Sequence, residues 1–157
     1  MVKLVLRLAL LTALQLSTNQ ILAAEVISVG DGDTITVTHE NKRIKIRLAC
    51  IDAPETAQMP FGNAARQRLL KLLPAATEVS IKSKAVDRYG RTVAEVFKGN
   101  TNINQKMVAT GDAFIYWQYI SGCDRQTYSR LENNARLNSL GVWSVGGGIQ
   151  RPWLFRR

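Results

Sequence analysis

The sequence predicts an α+β protein, mainly β: a five-stranded barrel capped by three helices. Three observations point there. Five short segments alternate apolar and polar residues, the last ending at Phe97. One segment of helical period separates the third strand from the fourth, and two more follow the fifth. The chain of 157 residues has no repeat, low-complexity tract or internal linker, so one domain with a sizeable core fits.

The elements follow in order. Glu25–Val29 and Thr34–Thr38 alternate as strands around the turn Gly30-Asp31-Gly32. Arg43–Ile51 is a third strand, with Ile44, Ile46 and Leu48 on one face and Arg43, Lys45 and Arg47 on the other. Asn63–Leu73 has helical spacing and stops at Pro74. Glu78–Ser83 and Thr92–Phe97 form a hairpin across Asp87-Arg88-Tyr89-Gly90. Asn104–Thr110 is a short helix ended by Gly111, and Gln126–Leu140 a longer one ended by Gly141. The five-stranded oligonucleotide-binding barrel has this character, although pattern alone leaves the strand order open.

The N-terminus reads as an export signal. Lys3 and Arg7 precede the apolar run Leu8–Leu16, and Ala23-Ala24 offers a small-residue cleavage site. Ser17-Thr18-Asn19-Gln20 leaves the run too short to span a bilayer. The expected organisation is a signal over residues 1–24, a barrel domain over 25–145 and a flexible basic tail over 146–157. Net charge is +9, which suits a polyanionic partner such as nucleic acid, anionic lipid or wall polymer. Two cysteines, Cys50 and Cys123, in an exported protein favour a disulfide, the alternative being two separate buried thiols. Two cysteines and one histidine, His39, cannot build a Cys/His zinc site, and histidine-based or Ser-His-Asp chemistry has only His39 to use.

Chemistry concentrates in Ile46–Thr56, IRLACIDAPET. Arg47, Asp52 and Glu55 lie within nine residues, and Pro54 fixes the turn between the two acids. Asp33 shares strand parity with Ile35 and Val37, so it points into the barrel, where a carboxylate needs a cation or donors. Arg91 sits at the hairpin tip. Two acids suit a hard cation, a third can serve as base, and two arginines can hold a phosphate, as phosphodiester hydrolysis requires. Taken singly, DGDT and DAPE read as ordinary turns and Arg91 as a solvated charge. Arg47 and Asp52 also have opposite strand parity, so joining them requires a bulge or sharp bend.

DGDT, RLACIDAPE and DRYGR, in this order and spacing, resemble the staphylococcal (micrococcal) thermonuclease family. The resemblance runs from about Val26 to Ser144 and includes GDAFIYWQY and LGVWS. It implies that Asp33, Asp52 and the Ala53 backbone carbonyl ligate Ca²⁺. It implies Glu55 as general base, and Arg47 and Arg91 as ligands of the scissile phosphate. Tyr89 would contact a substrate phosphate, with Arg88 beside it where the best-known member has lysine. Trp117 and Tyr119 match that member's base-pocket tyrosines, the first altered. The loop Thr56–Gly62 lacks that member's lysine-rich excursion, so Arg66, Arg68, Lys82, Lys84 and the tail are candidates for a basic groove.

The implied function is a secreted, Ca²⁺-dependent, sugar-nonspecific nuclease. It would act as a monomer on single-stranded or unwound DNA and RNA, leave 3′-phosphates, and have no stable membrane insertion after signal cleavage. One rival is a non-catalytic nucleic-acid-binding barrel, for which Glu55 beside Asp52 would be a liability. Another is a cationic surface-binding protein, hinted at only by Arg151-Pro152-Trp153-Leu154-Phe155.

Overall fold

A computed structural model describes residues 21–157. The expected signal therefore lies mostly outside the described residues. The first strand, β1 (Ile21–Val29), folds back through Gly30–Asp33 onto β2 (Thr34–His39). Glu40 and Asn41, both at positive φ, turn β2 into β3 (Lys42–Leu48), the turn type whose twist suits a two-residue hairpin. β1 also pairs with β5 (Glu78–Val86), and β5 with β6 (Thr92–Lys98). The barrel closes where β3 runs parallel to β6, Arg47 opposite Val93. The result is a closed five-stranded barrel with helices against it, as the sequence pattern predicts. The closing ladder pairs Ile46–Leu48 of β3 with Thr92–Ala94 of β6.

Strand alternation sets the core. Ile35, Val37, Ile46, Leu48, Ile81, Ala94 and Val96 are all buried. Three helices of seven or more residues cap them: α1 (Phe61–Leu72), α2 (Ile103–Ala109) and α3 (Arg125–Leu137). Asn102 caps α2 by accepting from the Gln105 N–H, and Asp124 caps α3 through Thr127. Buried Asn104 fastens α2 across the β3–β6 seam. Its Nδ2 donates to the Ala49 and Ala94 carbonyls, and its Oδ1 accepts from the Val96 N–H. That leaves the seam's backbone groups paired where the parallel ladder ends.

Two segments differ from the sequence expectation. Ile21–Ala24 continue β1 against Ile81 and its neighbours, and Leu22 and Ala24 pack on the core. A boundary after Ala24 therefore runs through a paired strand. Residues 146–157, expected as a flexible tail, instead carry a fourth short helix, α4 (Pro152–Phe155). The physical reason is apolar burial: Pro152 is buried, and Trp153 lies flat on Tyr116 at 4.9 Å.

Cys50 and Cys123 are joined by a disulfide spanning 73 residues, with Cα atoms 6.5 Å apart. It ties the end of β3 to the approach to α3. On the chain-entropy model a loop of this size stabilises by about 4 kcal/mol. The paired variant Cys50→Ser, Cys123→Ser is therefore expected to unfold at a lower urea midpoint. An unchanged midpoint would show that the bond contributes no stability to the fold.

Candidate active site

The bend that parity requires is present. β3 ends at Leu48, Cys50 takes a positive φ of 66°, and β4 (Ile51–Asp52) leaves in a new direction to pair with β8 (Phe114–Ile115). Arg47 reaches around this corner. Its Nη1 donates to the Leu48 and Ile51 carbonyls at 2.6 and 3.0 Å. Its Nη2 lies 2.6 Å from Asp52 Oδ1 and 3.1 Å from Asp33 Oδ2. One guanidinium thus both staples the corner and joins the two acids.

Asp33 and Asp52 are both buried. Asp33 Oδ2 also accepts the Ala53 N–H at 2.7 Å, which brings the β1–β2 turn against the IDAPE loop. Gly32 permits that approach, since a Cβ there would lie 2.7 Å from the Ala53 methyl. Burial pushes the Asp33 carboxyl up to about 7, against the opposing pull of Arg47. Burial also raises Asp52, with Arg156 and Arg47 opposing. Arg47, shared by the two buried carboxylates, and Arg156 on Asp52 do not offset their desolvation.

Glu55 sits in the loop after Pro54 with its side chain partly exposed. Gln58 shapes this loop: its Oε1 accepts the Glu55 N–H, and its N–H donates to the Glu55 carbonyl. α1 begins against the same loop. A Cβ on Gly62 would fall 2.0 Å from the Glu55 carbonyl oxygen, so only glycine lets the helix approach so closely.

An open cavity of about 1020 Å³ lies beside these residues, and Asp52, fully buried, does not line it. Asp33, Arg47, Glu55, Tyr89 and Arg91 all line it. Arg91 is steadied by Asp87, whose Oδ2 accepts from Nε at 2.7 Å. Tyr89 is exposed, and Arg88 stacks on its ring at 4.8 Å while donating to its hydroxyl. Tyr119 lines the cavity edge-on to Tyr116. The structure does not bring Trp117 there. In the three-residue turn Trp117–Tyr119 it lies under the Arg125 guanidinium, 4.9 Å away, while Tyr116, Gln118 and Tyr119 take the cavity wall. Trp143 is buried against Phe114, as expected of a core residue.

Of the residues offered for a basic groove, Lys84 reaches the cavity but is paired with Glu95. Arg66 donates to the Gly30 carbonyl, and Arg68 pairs with Asp112. The tail, also offered for the groove, supplies Arg156, a residue that the sequence reading did not single out. It pairs with Asp52 at 2.8 Å and with Glu55, and it lines the cavity. The signal that could have found it is the apolar Pro152–Phe155 run, which is poorly suited to a solvated tail.

Among the described residues no group of three or more Asp, Glu, His or Cys forms a ready cluster for a metal. Asp33 and Asp52 supply two hard carboxylates at one place, and backbone or solvent oxygens would complete a shell. Such a donor set suits a hard divalent cation and no thiolate- or imidazole-seeking metal.

Comparison with known proteins now decides the family. Residues 45–145 match the family model for staphylococcal nuclease homologues. The chain belongs to the staphylococcal nuclease family. This nuclease is 44% identical over 142 residues to a micrococcal nuclease of Shigella flexneri, covering 85% of this chain and 79% of that protein. It is 36% identical over 151 residues to an uncharacterized endonuclease of Haemophilus influenzae, covering 96% and 82% respectively. An Escherichia coli protein named ParB is 36% identical over 145 residues, covering 87% and 80%. As a member of this family the chain is an endonuclease-type phosphodiester hydrolase acting on nucleic acid, and the non-catalytic binding barrel is set aside.

Asp33→Ala is expected to weaken Ca²⁺ binding while raising the melting temperature in chelator, because one of two buried, desolvated acids is gone. Calorimetric titration checks the first part. Unchanged affinity would remove Asp33 from the metal shell.

Proposed function

We propose that this nuclease is an exported, Ca²⁺-dependent, sugar-nonspecific enzyme that cleaves single-stranded or unwound DNA and RNA and leaves 3′-phosphates. The observation that carries the reading is Arg47, which pairs with Asp33 and with the buried Asp52 and lines one cavity with Asp33, Glu55 and Arg91. Asp33, Asp52 and the Ala53 carbonyl would hold the cation. A bound cation of this kind would neutralise charge on a phosphoryl oxygen.

The chain's own residues do the rest. Glu55, partly exposed beside the cavity, orients a water and takes its proton as that water attacks phosphorus, while the P–O5′ bond breaks and the released 5′-oxygen takes a proton from solvent to leave as a hydroxyl. Arg47 and Arg91 hold the non-bridging oxygens and meet the charge that builds on them. Tyr89 and Arg88 stand at the mouth, where they can take a neighbouring phosphate. Tyr119 offers a ring on which any base can stack. The disulfide and the basic, apolar N-terminus support export, and no helix among the described residues is long and apolar enough to cross a membrane. The enzyme is expected to act as a monomer.

End-group analysis tests the chemistry. Products of a Ca²⁺ digest should be substrates for a 3′-phosphatase and not for a 5′-phosphatase. The reverse pattern would place the leaving group on the other side of phosphorus.

A further inference from the structure

We propose that Arg156 is a further phosphate-binding arginine of the active site, delivered by the C-terminal turn α4. The inference rests on the reading that a nucleic-acid phosphodiester enters the cavity. Arg156 lines that cavity together with Arg47 and Arg91. Its Nη2 lies 2.8 Å from Asp52 Oδ2, and its Nη1 lies 3.2 Å from Asp52 Oδ1 and against Glu55 Oε1. Its side chain is 41% exposed, whereas that of Arg47 is 13% exposed. Arg47 gives both Nη groups to two carbonyls and two acids and keeps Nε, while Arg91 gives Nε to Asp87 and keeps both Nη groups. A guanidinium carries five N–H donors, so Arg156 keeps capacity for a substrate oxygen while it faces the acids.

The placement is built. Trp153 stacks on Tyr116 with rings 7° from parallel and meets Phe114 edge-on at 6.3 Å. Arg151 lies over Phe114 at 4.3 Å and over Trp143 at 4.8 Å. Gln58 links the turn to the catalytic loop: it holds the Glu55 backbone with its Oε1 and donates its Nε2 to the Gln150 carbonyl. The turn is thus fixed to the wall that carries Glu55. Electrostatics supplies the need, because Asp33 and Glu55 line the cavity an anionic substrate would enter and Asp52 adds its charge from a fully buried position beside them. An arginine anchored beside them lowers that repulsion and offers a planar fork for phosphate.

The test is binding of a short fluorescent single-stranded oligothymidine in chelator across a salt series, where no hydrolysis intervenes. Arg156→Ala should bind about tenfold more weakly, as for the loss of one charged hydrogen bond. Its log–log salt slope should fall by about 0.7, the value for one phosphate contact to a single strand. Arg156→Lys should restore the slope. An unchanged slope in Arg156→Ala would make the arginine an internal ion pair and overturn the proposal. Tighter binding by that variant would make it a plug on the acids, which also overturns it. Wild-type protein that binds no oligonucleotide would overturn the reading of the cavity itself, so the two failures are distinguishable.

Discussion

Glu55→Gln is expected to keep Ca²⁺ and oligonucleotide binding but to turn over roughly 10²–10⁴-fold more slowly, the usual worth of a positioned base. Glutamine preserves size and polarity, so the Gln58 contacts to the Glu55 backbone and the close seat of Gly62 stay as they are. What is lost is a carboxylate able to accept a proton, together with one charged partner of Arg156. The loss should therefore fall on kcat, with little change in KM. Single-turnover kinetics on a defined oligonucleotide separates the two. Near-native turnover would remove Glu55 from the chemistry.

Arg47→Lys is expected to reduce turnover by roughly 10²–10³-fold, comparable to deleting one preorganised donor to a developing oxyanion. The charge is retained, but the fork is not. Arg47 serves the Leu48 and Ile51 carbonyls with one nitrogen and Asp52 and Asp33 with the other. A single ammonium cannot reach both sets, so either the corner at Cys50 or the acid pair loses its donor. The variant should accordingly melt earlier as well as react more slowly. Arg91→Lys should show the kinetic loss with a smaller effect on melting, because Arg91 is steadied only within its own hairpin by Asp87. Paired kinetics and thermal melts on the two lysine variants check this, and normal activity in either would make that arginine a surface charge.

The barrel was legible because its signals are local. Alternation fixed which faces of β2, β3 and β6 are buried, and Asp33 lies inside as its parity with Ile35 requires. The parity conflict between Arg47 and Asp52 was equally readable, and its solution, a residue at positive φ, is the one bend that brings them together. That this residue is a cysteine carries no signal for a left-handed backbone, so the position of the bend was hidden. Trp117 was misplaced for a related reason: in a three-residue turn, side-chain direction follows no strand or helix period. Asn104 and Arg156 were not singled out because their partners are remote. Asn104 reaches Ala49, 55 residues away, and Arg156 reaches Glu55, 101 residues away. Neither contact leaves a periodic trace. The charged end of the chain resembles any solubilising tail until the stack of Trp153 on Tyr116 is seen.

The central claim is that Asp33, Asp52, Glu55 and the two arginines form a cation-dependent phosphodiesterase centre. Digestion of single-stranded DNA and RNA by the purified protein, with Ca²⁺ and with chelator, tests it most directly. The account predicts cleavage of both polymers with Ca²⁺, and loss of both activities in chelator that added Ca²⁺ restores. Undiminished cleavage in chelator, or no cleavage of either polymer with Ca²⁺, would contradict it.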